Sequence, residues 1–103
     1  MNRLNKASGD DPTLLRKLLN IYFSETPGQL DQLAAAITEN SVAEVNRLAH
    51  KTSGASLSLG FTAMAVPLRE IEKLADSGNL QGAAALHRRL TLNLDQTKQF
   101  LST

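Results

Sequence analysis

The sequence has no cysteine and no tryptophan, and it has only two histidines among 103 residues. Without cysteine, disulfide bonds and thiolate metal sites are excluded. No apolar run approaches the roughly 18–20 residues that a membrane-spanning helix needs, and no signal peptide opens the chain. We therefore expect a cytoplasmic location, although a soluble piece of a larger membrane-bound protein would have the same composition.

The sequence also lacks a clear excess of either positive or negative charge. Eleven lysines and arginines stand against ten aspartates and glutamates, and the net charge is +1. Because nucleic acid and anionic membranes are bound by a concentrated basic face, neither is expected as a partner. With 42% hydrophobic and 20% charged residues, the chain is expected to fold rather than remain disordered. Its length fits one domain with a modest core.

Apolar residues recur at the three- and four-residue spacing of amphipathic helices through most of the chain. No alternating stretch predicts a strand. Residues 1–10 are polar and predict a flexible N-terminal lead-in, and residues 11–103 predict a helical domain. The expected fold is all-α, an antiparallel four-helix bundle with a short leading helix.

Capping residues mark the expected helix ends. Asp11 followed by Pro12 suits the start of the short leading helix, and Pro27 is expected to end that helix and to begin the next. Ser41 and Glu44 have the spacing of a capping box, in which the glutamate reaches back to the cap. The other expected helix ends lie near Asn40, Gly60 and Gly78.

The helix that follows Ser41 has an unusual outer face. At about 100° per residue, its core-facing stripe is predicted to contain Val42, Val45, Leu48, Ala49, Thr52, Ala55, Ser56 and Leu59. His50 lies nearly opposite, so its imidazole should be reachable from solvent. Ser53 and Gly54, one turn further on, are very small. A mid-helix glycine costs about 0.5–1 kcal/mol relative to alanine, and a flat surface on which a partner closes over His50 would justify that cost.

These features, together with others in the same order and spacing, resemble the histidine-containing phosphotransfer (HPt) family. The residues that carry the resemblance are Phe23, Thr26, Pro27, Leu30, Ala49, His50, Gly54, Ser56, Leu59, Gly60, Leu68, Ile71, Glu72, Ser77 and Gly78. The likeness covers about residues 11–101. The family usually has lysine three residues after the histidine, where this chain has Ser53. In this chain a lysine, Lys51, directly follows the histidine instead.

The resemblance implies a phosphorelay intermediate in two-component signalling. His50 would accept a phosphoryl group from a receiver-domain aspartate and pass it to another receiver. The chain would be a carrier rather than an enzyme, with no cofactor or metal of its own, because the receiver brings Mg²⁺ and the catalytic groups. The expected partners are receiver domains of response regulators or hybrid histidine kinases, and the chain is expected to be a monomer.

The residues themselves support this chemistry. A neutral imidazole nitrogen is a competent nucleophile toward an activated phosphoryl group. Arg47, one turn earlier, and Lys51, alongside, could offset the charge of phosphohistidine, and Arg47 is the preferred substitute for the lysine of the family. The residues expected around the phosphoryl group are Arg47, Lys51, Ser53 and Gly54, and those expected in partner docking are Asn46 and Leu57.

Two other function classes stay open on the sequence alone. One is the dimerisation and phosphoacceptor part of a histidine kinase, where an acidic residue usually follows the histidine and a proline comes a few places later. Lys51 and Gly54 do not fit that pattern, and the chain holds no ATP-binding domain. The other is a helical-bundle protein-interaction module without phosphotransfer, in which His50 is incidental.

The second histidine, His87, lies at the edge of an apolar stripe beside Arg88 and Arg89. It is expected to be a partly buried structural histidine. No histidine or carboxylate lies three or four residues after His50, which is the spacing that would predict a metal site on its helix.

Overall fold

The computed structural model describes residues 12–102, and the predicted flexible lead-in at residues 1–10 lies outside them. The described chain forms four helices, α1 Pro12–Thr38, α2 Val42–Ser58, α3 Thr62–Asp76 and α4 Ala83–Ser102. Each helix packs against the next, and α4 also packs against α1. No strand occurs between residues 12 and 102. The predicted all-α, four-helix bundle is confirmed.

The short leading helix is not a separate element, so the expected break at Thr26 and Pro27 is wrong. Helix α1 continues through Pro27, although a proline inside a helix removes one backbone hydrogen bond and costs about 3 kcal/mol. The buried positions Thr26, Leu30 and Leu33 keep the same helical phase on both sides of the proline. Because each fully buried leucine contributes about 1.5–3 kcal/mol, packing of the continuous helix outweighs the lost bond.

Helices α1, α2 and α3 end in the same way. Asn40, Gly60 and Gly78 follow them with φ of 57°, 77° and 77°, a left-handed conformation that glycine and asparagine tolerate. After α2, the N–H of Gly60 donates to the carbonyl of Leu57 at 3.0 Å, and the next N–H donates to that of Ser56 at 2.8 Å. This pair of bonds defines a Schellman motif. The three predicted helix ends are therefore confirmed.

The backbone hydrogen bonds that end α1 also explain why the prediction of a capping box at Ser41 and Glu44 is wrong. The N–H of Ser41 donates to the carbonyl of Ala36 at 2.9 Å, so it is not available to the Glu44 side chain. Ser41 is the N-cap of α2, but its side chain makes no capping bond. The Glu44 carboxylate instead accepts a hydrogen bond from Arg47.

One hydrophobic core runs between the four helices. Its buried members are Tyr22, Leu30, Leu33, Ala36, Val45, Leu48, Ala49, Leu59, Phe61, Met64, Leu68, Ile71, Ala75, Leu90 and Leu94. The buried face of α2 is rotated slightly from the predicted stripe, because Ser53 is buried and Ala55 is exposed. Helix α3 packs closely along α2 and covers the side on which Ser53 lies.

Candidate functional site

His50 lies in the middle of α2, and its side chain is 76% exposed. Its Nδ1 atom is 2.9 Å from Oε2 of Glu72 on α3. The Glu72 side chain is only 22% exposed, so it approaches the imidazole from the bundle side. The arrangement holds one ring nitrogen against the protein and leaves Nε2 for a partner.

The hydrogen bond to Glu72 determines which ring nitrogen is nucleophilic. An ionised carboxylate can only accept hydrogen bonds, so Nδ1 carries the hydrogen. In the neutral imidazole, the other nitrogen then holds the lone pair. An outward-facing Nε2 lone pair is what an attack on an external phosphoryl group requires.

A second hydrogen bond crosses the boundary between α2 and α3 one turn away. The side-chain amide of Asn46 donates to Oδ1 of Asp76. Asn46 precedes His50 by four residues, and Asp76 follows Glu72 by four. The two hydrogen bonds therefore lie one helical turn apart along the antiparallel pair of α2 and α3. Asn46, expected in partner docking, is half-buried and serves here to fix the register of the two helices.

Glu72 is the residue near His50 that sequence reasoning did not single out for the site. It appears only among the residues that carry the family resemblance. A signal was present, since Glu72 directly follows Ile71 in the apolar stripe of α3. A carboxylate that becomes largely buried at the edge of such a stripe needs a hydrogen-bonding or charged partner.

The other predicted site residues lie at different depths. Gly54 and Lys51 are exposed beside His50, whereas Ser53 is only 4% exposed. The expectation that Ser53 shares the outer face is therefore wrong, because α3 covers that side of α2. A Cβ atom added at Gly54 would meet nothing within 4 Å. The packing of the bundle thus gives no reason for a glycine at this position.

Arg47 is exposed on the same face, but it is paired with Glu44 rather than with His50. Its Nε donates to Oε1 of Glu44, one turn toward the start of α2. This hydrogen bond lowers the pKa of the Glu44 carboxyl and raises that of the Arg47 guanidinium. The structure therefore brings Glu72, and not Arg47, to the imidazole.

A groove lies between α1 and the C-terminal half of α2, with a volume of about 660 Å³. Leu57, expected in partner docking, is half-buried and lines this groove. Ile21 on the facing helix also lines it and is 52% exposed. The remaining lining residues are Leu18, Tyr22, Glu25, Thr26, Gln29, Ala55, Ser58 and Leu59. An open, largely apolar surface thus lies next to the histidine face.

Buried hydroxyl groups fix α2 against α1 beneath this surface. The hydroxyl groups of Tyr22 and Ser56 are 2.7 Å apart, and Ser56 donates to the carbonyl of Thr52 at 2.8 Å. Tyr22 is therefore the donor to Ser56. Burial raises the pKa of the Tyr22 phenol. The bond between Tyr22 and Ser56 therefore joins α1 to the buried face of the helix that carries His50.

His87 is half-buried, and its Nε2 lies 2.7 Å from the carbonyl oxygen of Leu30. A carbonyl only accepts, so this nitrogen donates and joins α4 to α1. The position agrees with the structural role expected from the sequence. Among residues 12–102, no group of three or more histidine, aspartate or glutamate side chains could hold a metal ion.

The four-helix bundle thus presents an exposed histidine whose Nδ1 is bonded to a carboxylate of the neighbouring helix. The family model described as the Hpt domain matches residues 17–100. Since the match covers most of the chain, the chain belongs to the Hpt domain family, and the resemblance seen in the sequence is confirmed. Searches of curated proteins and of solved structures gave no match.

Membership of this family implies a phosphorelay role in two-component signalling and interaction with receiver domains. Hpt domains are phosphocarrier modules rather than enzymes. Family membership thus favours the carrier over the other two function classes that the sequence left open. Within residues 12–102, none of the helices has the length and hydropathy that crossing a bilayer requires.

Proposed function

We propose that His50 is the phosphoryl-accepting residue of this Hpt domain, taking a phosphoryl group from a receiver aspartate and passing it to a second receiver. The observation that supports it is the exposed imidazole whose Nδ1 is held by Glu72 at 2.9 Å. The chain has two histidines, and the other, His87, has its Nε2 on the Leu30 carbonyl. His87 is half-buried, whereas the His50 side chain is 76% exposed and keeps its second ring nitrogen away from Glu72.

In the proposed transfer, the Nε2 lone pair attacks the phosphorus atom of the aspartyl phosphate. The P–N bond forms as the P–O bond to the aspartate breaks, and the aspartate carboxylate leaves with the electron pair. The ring keeps its Nδ1 proton throughout, so it gains positive charge. The Glu72 carboxylate stabilises that charge in place, and the onward transfer is the reverse of the same step.

The remaining chemistry is proposed to come from the receiver, which would supply the Mg²⁺ ion and the aspartate, as the family resemblance implies. This chain contributes the positioned nucleophile and the surface around it. The open space above Gly54 supports close approach of the receiver to His50. The groove that contains Leu57 and Ile21 supports apolar docking beside it.

The experiment is phosphoryl transfer from a purified, phosphorylated receiver domain to the wild type, His50→Gln and His87→Gln. Wild type and His87→Gln should acquire hydroxide-stable, acid-labile label, and His50→Gln should acquire none. Circular dichroism checks that each variant is folded, since His87→Gln loses a hydrogen bond worth about 0.5–1.5 kcal/mol. Label on folded His50→Gln would refute the assignment of this residue.

A further inference from the structure

Arg47 occupies a position midway between two possible anionic partners. It follows Glu44 by three residues and precedes His50 by three on the exposed face of α2. Side chains three residues apart on a helix have Cβ atoms about 5–6 Å apart and can meet. In the unphosphorylated protein, its guanidinium is bound to Glu44.

The local sequence leaves both side chains available for this role. Glu44 is free to bind Arg47 because the N–H of Ser41 is already bonded to the carbonyl of Ala36. Helix α2 carries only two cationic residues, Arg47 and Lys51. Since Ser53 is buried and uncharged, no side chain at that position places positive charge beside His50.

We propose that Arg47 changes partner when His50 is phosphorylated, leaving Glu44 and binding the phosphoryl oxygens, so that Glu44 competes with phosphohistidine for one guanidinium. The proposal rests on the proposed function of His50. Helical side chains lean toward the helix N-terminus, so the imidazole leans over the turn that contains Arg47.

The phosphoryl group is the stronger partner of the two. A protein phosphoryl group carries about −1.5 to −2 charges at pH 7, against one for the carboxylate, and its oxygens suit the bidentate geometry of guanidinium. Adjacent helical residues do not face each other, so Lys51 is less well placed than Arg47. The pair of Arg47 and Glu44 is exposed, with side chains 57% and 46% accessible, so exchange needs no change in the core.

The test uses phosphoramidate, a small phosphoryl donor, so that no receiver is needed. Its P–N bond breaks, ammonia leaves, and a P–N bond forms to Nε2 of His50. Phosphorus NMR then follows the second ionisation of phosphohistidine with pH, and His50→Gln identifies any signal from His87. The variants are Arg47→Ala, Glu44→Gln, the double variant, and Lys51→Ala as the control that removes the same charge.

A nearby guanidinium favours the doubly ionised phosphoryl group. We expect the ionisation constant to fall about 1.5- to 5-fold in Arg47→Ala, the range of an exposed charge contact, and to fall less in Lys51→Ala. Glu44→Gln should raise it, because Arg47 is released. When Arg47 is already alanine, Glu44→Gln should change the logarithm of the phosphohistidine ionisation constant by less than half as much as it does in the wild-type background.

Three results would overturn the proposal: an Arg47→Ala constant equal to that of the wild type, a Lys51→Ala effect at least as large, or a Glu44→Gln effect of equal size in both backgrounds. Each of these would leave the receiver experiment on His50→Gln unaffected. A wild type that neither phosphoramidate nor the phosphorylated receiver labels at His50 would overturn this proposal and the proposed function together.

Discussion

Removing the Glu72 carboxylate tests the chemistry of the site most directly. Glu72→Ala deletes both the acceptor and the negative charge at 2.9 Å from Nδ1. A hydrogen bond to a charged group contributes about 1.5–3 kcal/mol, but the His50 side chain is 76% exposed and solvent screens part of this. A contribution of about 0.5–1 kcal/mol is therefore expected, which is a two- to fivefold fall in the rate of transfer.

The assay is single-turnover transfer from a phosphorylated receiver, with nitrogen NMR of the imidazole as an independent measurement. Wild type should carry its hydrogen mainly on Nδ1, and Glu72→Ala should show a mixture of both tautomers. Glu72→Gln keeps an oxygen acceptor but not the charge, so its rate should fall between the two. Asp76→Asn is the control, because it changes a carboxylate of the same helix boundary that binds Asn46.

Two results would refute this reasoning. An unchanged tautomer ratio in Glu72→Ala would mean that the carboxylate does not determine the position of the hydrogen. An Asp76→Asn rate as low as that of Glu72→Ala would mean that both residues act only by holding α2 against α3.

Three further predictions follow from other parts of the structure. Gly54→Ala should raise the free energy of unfolding in urea by about 0.5–1 kcal/mol, while Gly54→Gln should slow transfer by crowding the receiver; equal transfer rates would contradict the open-surface argument. Ile21→Asp should weaken receiver binding about five- to thirtyfold by calorimetry, whereas Val66→Asp, at a similarly exposed apolar residue outside the groove, should not. Burial raises the pKa of Tyr22, so the unfolded state loses this proton first and stability should fall as pH rises past about 10. The fall should be smaller in Tyr22→Phe, and identical pH profiles would contradict it.

Most helix ends could be predicted because their signals are local. Gly60 and Gly78 supply left-handed residues where two backbone bonds close a helix, and that requirement is visible in a few residues of sequence. Pro27 misled the prediction because a local signal was opposed by a longer one. Thr26, Leu30 and Leu33 stay in phase across the proline, and only the packed bundle shows that this burial decides the outcome.

The site was predicted in part for the same reason. The exposure of His50 follows from the phase of a single helix, so the sequence was sufficient for it. The rotation that buries Ser53 and the contact between Glu72 and His50 depend on how α3 lies against α2. Such contacts depend on the relative placement of two helices, and the periodicity of either helix alone does not determine it.

The short connection between α2 and α3 has a consequence for how the site assembles. His50 and Glu72 are 22 residues apart in the chain, whereas His87 and Leu30, which join α4 to α1, are 57 apart. Loop-closure entropy grows by about 0.6 kcal/mol for each doubling of length, so bringing His50 to Glu72 costs about 0.8 kcal/mol less. The nucleophile and its carboxylate belong to one helical hairpin, and their pairing does not require α1 and α4 to meet first.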